Sequence, residues 1–150
     1  MSCFTTGVTV VTAHTQGLDW GMTCNSFNTV SLDPAMVLWS VRKTSASHEA
    51  FVNAGGYMVN VLGAQQKEVA LKFAQGTQAE RFADEHLVRG VNQHPRLEGV
   101  IAWFDCRIAQ VVSAGDHDIL IGEVLDFGVH AGHGLAYAQR SFGVLAPFDD

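Results

Sequence analysis

Residues 100–129 read VIAWFDCRIAQVVSAGDHDILIGEVLDFGV. Two runs rich in β-branched and aromatic residues, Val100–Val112 and Ile119–Val129, flank the turn-forming cluster Ser113-Ala114-Gly115-Asp116. That pattern is a long β-hairpin, so the largest ordered stretch of the chain is antiparallel β rather than a βαβ crossover. The same pattern recurs upstream. Gly7–Ala13 (GVTVVTA) has β-branched residues and no helical period, Gln16-Gly17 makes a turn, and Trp20–Asn25 returns as the partner strand. Ser26–Pro34 reads as a polar loop closed by Asp33-Pro34, and Ala35–Val41 (AMVLWSV) as a buried strand. Tyr57–Leu62 is a further strand, and Ala136–Leu145 holds a last short one.

Two short helices interrupt the strands. Ser45 or Ser47 caps the first, which runs to Val52 with Glu49 near its start and Gly55-Gly56 as its stop. The second, Ala64–Phe73, presents Val69, Ala70, Phe73 and Ala74 on one face. Thr77–Pro95 is polar and irregular and contains Arg81-Phe82. About six strands, paired mainly as hairpins, predict a mainly-β antiparallel barrel with helices over its ends.

The 150 residues have the length of one domain, expected to span 1–150. Apolar residues make up 47% and exclude a disordered chain, while no apolar run is long enough to span a bilayer. No basic-apolar leader opens the sequence. A net charge of -6 argues against nucleic-acid and anionic-membrane partners. Only 16% of residues are charged, so part of the surface is expected to be covered by a second subunit or a ligand. Cys3, Cys24 and Cys106 are odd in number and far apart. They read as small buried hydrophobes in a reducing, cytoplasmic setting, not as a disulfide framework. His14, His48, His86 and His94 lie in or beside turns and read as surface residues; His130 and His133, in HAGHG, read as an exposed loop. The glycine-rich phosphate-binding motifs and the G-x-S-x-G nucleophile motif are missing from the sequence.

Three polar stretches remain. Gly21–Leu32 (GMTCNSFNTVSL) packs Thr23, Asn25, Ser26, Asn28, Thr29 and Ser31 together. It reads either as a neutral hydrogen-bonding wall for a polar heterocycle or as an ordinary Asn/Ser turn. Ser40–Ser47 (SVRKTSAS) gathers Arg42, Lys43, Thr44, Ser45 and Ser47 at a helix start, either an anion site suited to phosphate or a solvated cap. Gly115-Asp116-His117-Asp118 sets a histidine between two acids at a hairpin mouth, where its charge is open to tuning; exposed turns also collect such residues.

Several motifs in register resemble one family. FTTGVTVVTA, GMTCNSFNTVSLDPAMVLWSV, KTSAS, YMVNVL followed by a Gln-rich helix ending in KFA, the RFA triplet and AGDHDILIGEV are similar in order and spacing to the flavin reductase-like, FMN-binding split-barrel proteins. These include reductase components of two-component flavin monooxygenases, and the resemblance runs from Phe4 to about Gly143. It implies a six-stranded Greek-key split barrel, a homodimer, and FMN or FAD bound near the dimer interface. It also implies reduction of that flavin by NADH or NADPH and delivery of reduced flavin to a separate oxygenase. The same resemblance leaves two alternatives, a non-catalytic flavin carrier and a flavoprotein that reduces another acceptor such as a metal corrinoid.

By the same resemblance, Thr23, Asn25, Ser26, Val30 and Ser31 lie beside the isoalloxazine and ribityl chain. Lys43, Ser45 and Ser47 lie at the phosphate, with Ser40 and Thr44 nearby, and Phe73, Ala74 and Phe82 flank the flavin. His117, the one catalytic position, falls on the nicotinamide side as a positioning residue or proton relay. Tyr137, Arg140 and Phe142 complete the nicotinamide pocket. Two departures stand out. Only three residues precede Phe4, where family members carry a further helix, and Gln139-Arg140-Ser141-Phe142 replaces a common Arg-Gly-x-Tyr pattern.

Overall fold

The computed structural model describes residues 1–149. In chain order the elements are β1 (Thr6–Gly7), β2 (Thr9–Thr15), β3 (Leu18–Cys24), β4 (Asn28–Leu32), β5 (Ala35–Arg42), α1 (His48–Asn53), β6 (Gly56–Val61), α2 (Lys67–Lys72), α3 (Gln78–Phe82), β7 (Leu87–Arg89), β8 (Pro95–Leu97), β9 (Ala102–Ala114), β10 (His117–Val129), β11 (Ala136–Ala138) and β12 (Ser141–Gly143). Seven strands build one antiparallel sheet in the order β3-β2-β6-β9-β10-β5-β4. Two small sheets, β1-β11-β12 and β7-β8, sit beside it.

The topology forces this sheet to roll up. β3 and β4 are its two edges, yet only Asn25–Phe27 separate them in sequence. Laid flat, seven strands would put the edges about 29 Å apart at the usual strand spacing. The four Cα steps from Cys24 to Asn28 reach about 15 Å. The sheet must therefore curve until its edges approach, and no ladder joins β3 to β4 among the described residues. The result is a barrel split along one seam, as expected from the motifs.

The expected count of six strands becomes seven in the main sheet. Asn28–Leu32, read above as loop, is strand β4, held in ladder to β5 with a bulge at Val30. Its side chains are almost all exposed, so it carries no apolar period to announce it. Thr77–Pro95, read as irregular, contains α3, capped by the Thr77 hydroxyl accepting from Glu80 N–H at 3.2 Å, and β7, which pairs with β8. The first helix is shorter than expected, and Ser47 at its N-cap makes no side-chain cap bond. The long hairpin has thirteen residues in each strand. Gly115, at φ +63°, takes the first central turn position, where a type II′ turn needs glycine.

Alternation along the strands fills the barrel. Val11 and Ala13 of β2, Val37, Trp39 and Val41 of β5, Tyr57 and Val59 of β6, Cys106 and Leu120 form one cluster, with Phe51 of α1 packed into it. Trp39 sits edge-on to Phe51 (4.9 Å) and to Tyr57 (5.9 Å). Val8 and Val10 face the other way, into a second cluster with Leu62, Ala70, Phe73, Leu97, Val100 and Leu135. β2 is thus covered on both faces, by the barrel interior and by α2.

Polar side chains cross-link the far side of β2. Asn60 is fully buried; its amide donates to Val10 O (3.0 Å) and Thr12 Oγ1 (3.1 Å), and its carbonyl accepts from Leu97 N–H (2.8 Å). His94, expected at the surface, is 1% exposed, with Nδ1 accepting from His14 N–H at 3.0 Å. Burial, aided by the charge of His14, drives its pKa down to about 4, so the ring is neutral. Asp105 is equally buried, and its carboxyl accepts from Val91 N–H at 3.2 Å. Burial raises its pKa. Cys106 is buried as expected and Cys24 is half-buried, but Cys3 is exposed, since it lies on the chain end before β1. Among the described residues no helix is long and apolar enough to cross a membrane.

Candidate functional site

The end of β3 is pinned to α2. Thr23 N–H donates to Phe73 O (3.2 Å) and its hydroxyl to Ala70 O (2.6 Å). This opens a cleft of about 390 Å³, lined by Val8, Thr23, Cys24, Asn25, Ala70, Leu71, Ala74, Tyr137, Arg140 and Phe142. Six residues singled out from the sequence, namely Thr23, Asn25, Ala74, Tyr137, Arg140 and Phe142, therefore meet on one cleft. A larger cleft of about 680 Å³ lies between His86–Val88, Arg96–Val100 and His130–Ala131. None of the three polar stretches lines it, so size does not choose the site.

The lining combines buried apolar Val8 and Ala70 with exposed polar Asn25 and Arg140, a combination that suits a planar heterocycle with hydrogen-bonding edges. The rings of Tyr137 and Phe142 lie 5.0 Å apart on the β11–β12 hairpin, with the Lys67 ammonium 6.0 Å over Phe142. The two-residue turn of that hairpin holds Gln139 at φ +51° and Arg140 at φ +64°. The glycine of the Arg-Gly-x-Tyr pattern thus falls at Arg140, in a conformation that glycine takes without strain.

A second polar group surrounds the turn between β5 and α1. Ser26 Oγ accepts from Ser40 N–H (3.0 Å) and donates to Ser40 O (3.3 Å), tying the β3–β4 link to β5. Lys43 N–H donates to Asp116 O (2.9 Å), and the Lys43 ammonium donates to Ser113 Oγ (2.6 Å). Ser45 Oγ accepts from Ser47 N–H at 3.2 Å. Thr44 is exposed. Lys43, Thr44, Ser45 and Ser47 are thus grouped in a turn that docks on the β9–β10 hairpin mouth.

His117 stands at that mouth, opposite Arg42 on β5 and half-exposed. Its Nδ1 is 2.7 Å from Asp116 Oδ1. The hydrogen bond from His117, with its charge, holds the Asp116 carboxyl below its usual range. Asp118 does not share His117; it pairs with His48 at 2.6 Å, which takes His48 out of the free surface set expected above.

Several expected positions lie elsewhere. The Phe73 ring is fully buried, edge-on to Phe82 at 5.1 Å, and faces the second core cluster rather than the cleft. The cause is Gly21: a Cβ there would come within 2.7 Å of the Phe73 ring, so the missing side chain is what admits it. Phe82 lines a smaller depression with Leu18, Trp20 and Gln78. Val30 is exposed at the β4 bulge, and Ser31 pairs across to Met36.

Sequence reasoning missed two polar residues of α3. Gln78 accepts from Gly21 N–H (2.9 Å) and donates to Ser47 Oγ (3.1 Å). Arg81 donates to Gly21 O at 2.8 Å and to Gln75 O at 3.0 Å. Nothing local marks them, because α3 reads as a polar surface turn. Their partners are 31 and 57 positions away for Gln78, and 60 for the Arg81–Gly21 contact.

A family model described as a flavin reductase like domain matches residues 1–146. The reductase component of the flavin-dependent trigonelline monooxygenase of Acinetobacter baylyi is 44% identical over 93% of this chain, which spans 45% of that protein. The FMN reductase (NADH) SmoA of Agrobacterium fabrum is 42% identical over 95% of this chain and is covered to 81%. Among solved structures, the Streptomyces globisporus C-1027 NADH:FAD oxidoreductase SgcE6, in complex with NAD and FAD fragments, superposes with a TM-score of 0.92. It is 34% identical, with 99% of this chain and 90% of that one covered. The chain spans less than half the length of the Acinetobacter relative and most of the other two. With the family model matched over almost its entire length, and the split barrel and its cleft in place, this chain belongs to the flavin reductase-like family.

Proposed function

We propose that this chain is an NAD(P)H:flavin oxidoreductase, a single flavin reductase-like domain that passes reduced flavin to a separate oxygenase. The observation that carries the reading is the meeting of Thr23, Asn25, Ala74, Tyr137, Arg140 and Phe142 on one cleft. Two further contacts support it, because Ser26, next to Asn25, is bonded to Ser40 on β5, and Gln78 bridges Gly21 of β3 to Ser47. The residues fit a flavin nucleotide. The exposed Asn25 amide and the Thr23–Cys24 strand end offer neutral edges to the ring, while Lys43, Ser45 and Ser47 offer a cation and two hydroxyls to the phosphate. When bound, the flavin supplies the redox chemistry, accepting a hydride equivalent from reduced nicotinamide.

The chain then has to bind, orient and exclude water, and it needs no strong base. Asp116 is an ionised acceptor for the Nδ1 proton of His117, which leaves Nε2 as the nitrogen directed to a nicotinamide. In this reading His117 orients the nicotinamide and does not act as a nucleophile. Arg140 and Lys67 add positive charge around the Tyr137–Phe142 wall. A homodimer also belongs to the reading: Leu125, Phe127 and Val129 on β10 are exposed apolar side chains that a second copy would cover. Three free cysteines and the need for reduced nicotinamide fit the cytoplasm.

The test is oxidation of NADH and NADPH by the purified chain with FMN and FAD in turn. Turnover with at least one pair is expected, and no turnover with any pair overturns the proposal. Flavin binding without turnover would make the chain a carrier.

A further inference from the structure

We propose that Gln78 is a positioning residue that turns the Ser47 hydroxyl into a dedicated donor toward the flavin phosphate. The inference rests on the flavin-binding reading above. Gly21 N–H can only donate, so the Gln78 side chain must present its oxygen there, at 2.9 Å. Its NH₂ group therefore faces Ser47 Oγ, at 3.1 Å, as donor. The amide orientation is fixed by its partners and cannot be exchanged.

The consequence lies at Ser47, which is 5% exposed. Its oxygen already receives a proton from Gln78, so its own O–H is left to find an acceptor. Ser45 is in the same position, since its Oγ accepts from Ser47 N–H. Two neighbouring hydroxyls thus each have one lone pair engaged by the protein, while their own O–H has no protein acceptor among the described residues. A ligand that only accepts hydrogen bonds, as phosphate oxygens do, matches that state. Gln78 also links this turn to β3, since Gly21 lies two residues before Thr23 and is gripped through its carbonyl by Arg81.

The full chain tests this with FMN and riboflavin, which differ only by the phosphate, using quenching of flavin fluorescence. In Gln78→Glu the carboxylate still accepts from Gly21 N–H but also accepts the Ser47 proton, which reverses the hydroxyl. The expected result is a loss of about tenfold in FMN affinity, the scale of one hydrogen bond to a charged group, with riboflavin affinity unchanged. In a Ser47→Ala background the same substitution should have less than a threefold effect on FMN. Gln78→Met, without added charge, should weaken FMN but not riboflavin, again only when Ser47 is present. Equal loss of both ligands, or equal loss of FMN with and without Ser47, would show packing or plain repulsion and overturn the inference. If the unaltered chain binds FMN no better than riboflavin, the phosphate site itself fails, and this inference falls with it. If the unaltered chain prefers FMN and all Gln78 variants keep that preference, only the role of Gln78 falls.

Discussion

Asn60 and Ser47 are both polar and buried, but they differ in what they leave unpaired. Asn60, among the strands behind β2, uses both amide protons and its carbonyl on the chain itself. Ser47, at the barrel rim, has its acceptor side engaged by Gln78 and its proton unassigned. The first region is closed and its hydrogen bonds belong to the fold; the second is half-closed and leaves a proton for the phosphate of the proposed flavin. Mutations in the two regions should therefore separate stability from binding.

The sharpest break is Asn60→Leu. It strands Leu97 N–H in the interior and should lower unfolding free energy by about 2–4 kcal/mol, read from urea unfolding. Flavin affinity of the remaining folded protein should stay within twofold. A variant with unchanged stability and weakened flavin binding would erase the contrast.

The closed region also predicts an acid limb. His94 has its pKa depressed from 6.5 to about 4, so the unfolded chain binds a proton that the folded chain refuses between those values. Stability should fall as pH drops through that window, by up to about 3 kcal/mol, and level off below it. Asp105 has the opposite sign. Its raised pKa makes the folded state the better proton binder above 3.8, so its contribution grows as pH falls. Asp105→Asn should therefore steepen the acid limb measured by urea unfolding across pH, whereas a limb made shallower would reverse the assignment.

At the rim, Lys43→Ala combined with Ser45→Ala should weaken FMN binding by about 1–3 kcal/mol. The melting temperature should hardly move, since both side chains sit in an exposed turn. The smallest expected effect is that of His117→Ala, about tenfold slower NADH oxidation with flavin affinity retained. Loss of flavin affinity there would assign His117 to the flavin rather than to the nicotinamide.

The two regions were not equally legible in the sequence. The β9–β10 hairpin, the β2–β3 hairpin and β5 announce themselves through β-branched runs and Gly-containing turns. β4 does not, because an exposed edge strand of Asn, Thr and Ser owes its conformation to the ladder with β5. At the site, the polar stretches around Thr23, Lys43 and His117 stand out because small polar and basic residues are concentrated there. Their mutual arrangement does not stand out, since it depends on contacts such as Gln78–Ser47 across 31 positions. Phe73 shows the limit of transferring a motif. Its position matches the pattern, but its ring turns toward the space beside Gly21. His94 was obscured for a related reason: its neighbours in sequence look like a turn, and the strands that cover it, β2 at His14 and β6 at Gly56, are distant in sequence.

The seam between β3 and β4 has one more consequence. The three residues that bridge it, Asn25–Phe27, begin in the cleft wall and are fastened across to Ser40. A molecule gripped by Asn25 on one side and by the Lys43–Ser47 turn on the other acts as a clasp on an open cylinder. Its binding free energy is transmitted as hoop stiffness, and binding should slow the amide exchange of β3 and β4 by a larger factor than that of β6, which already lies between two partners.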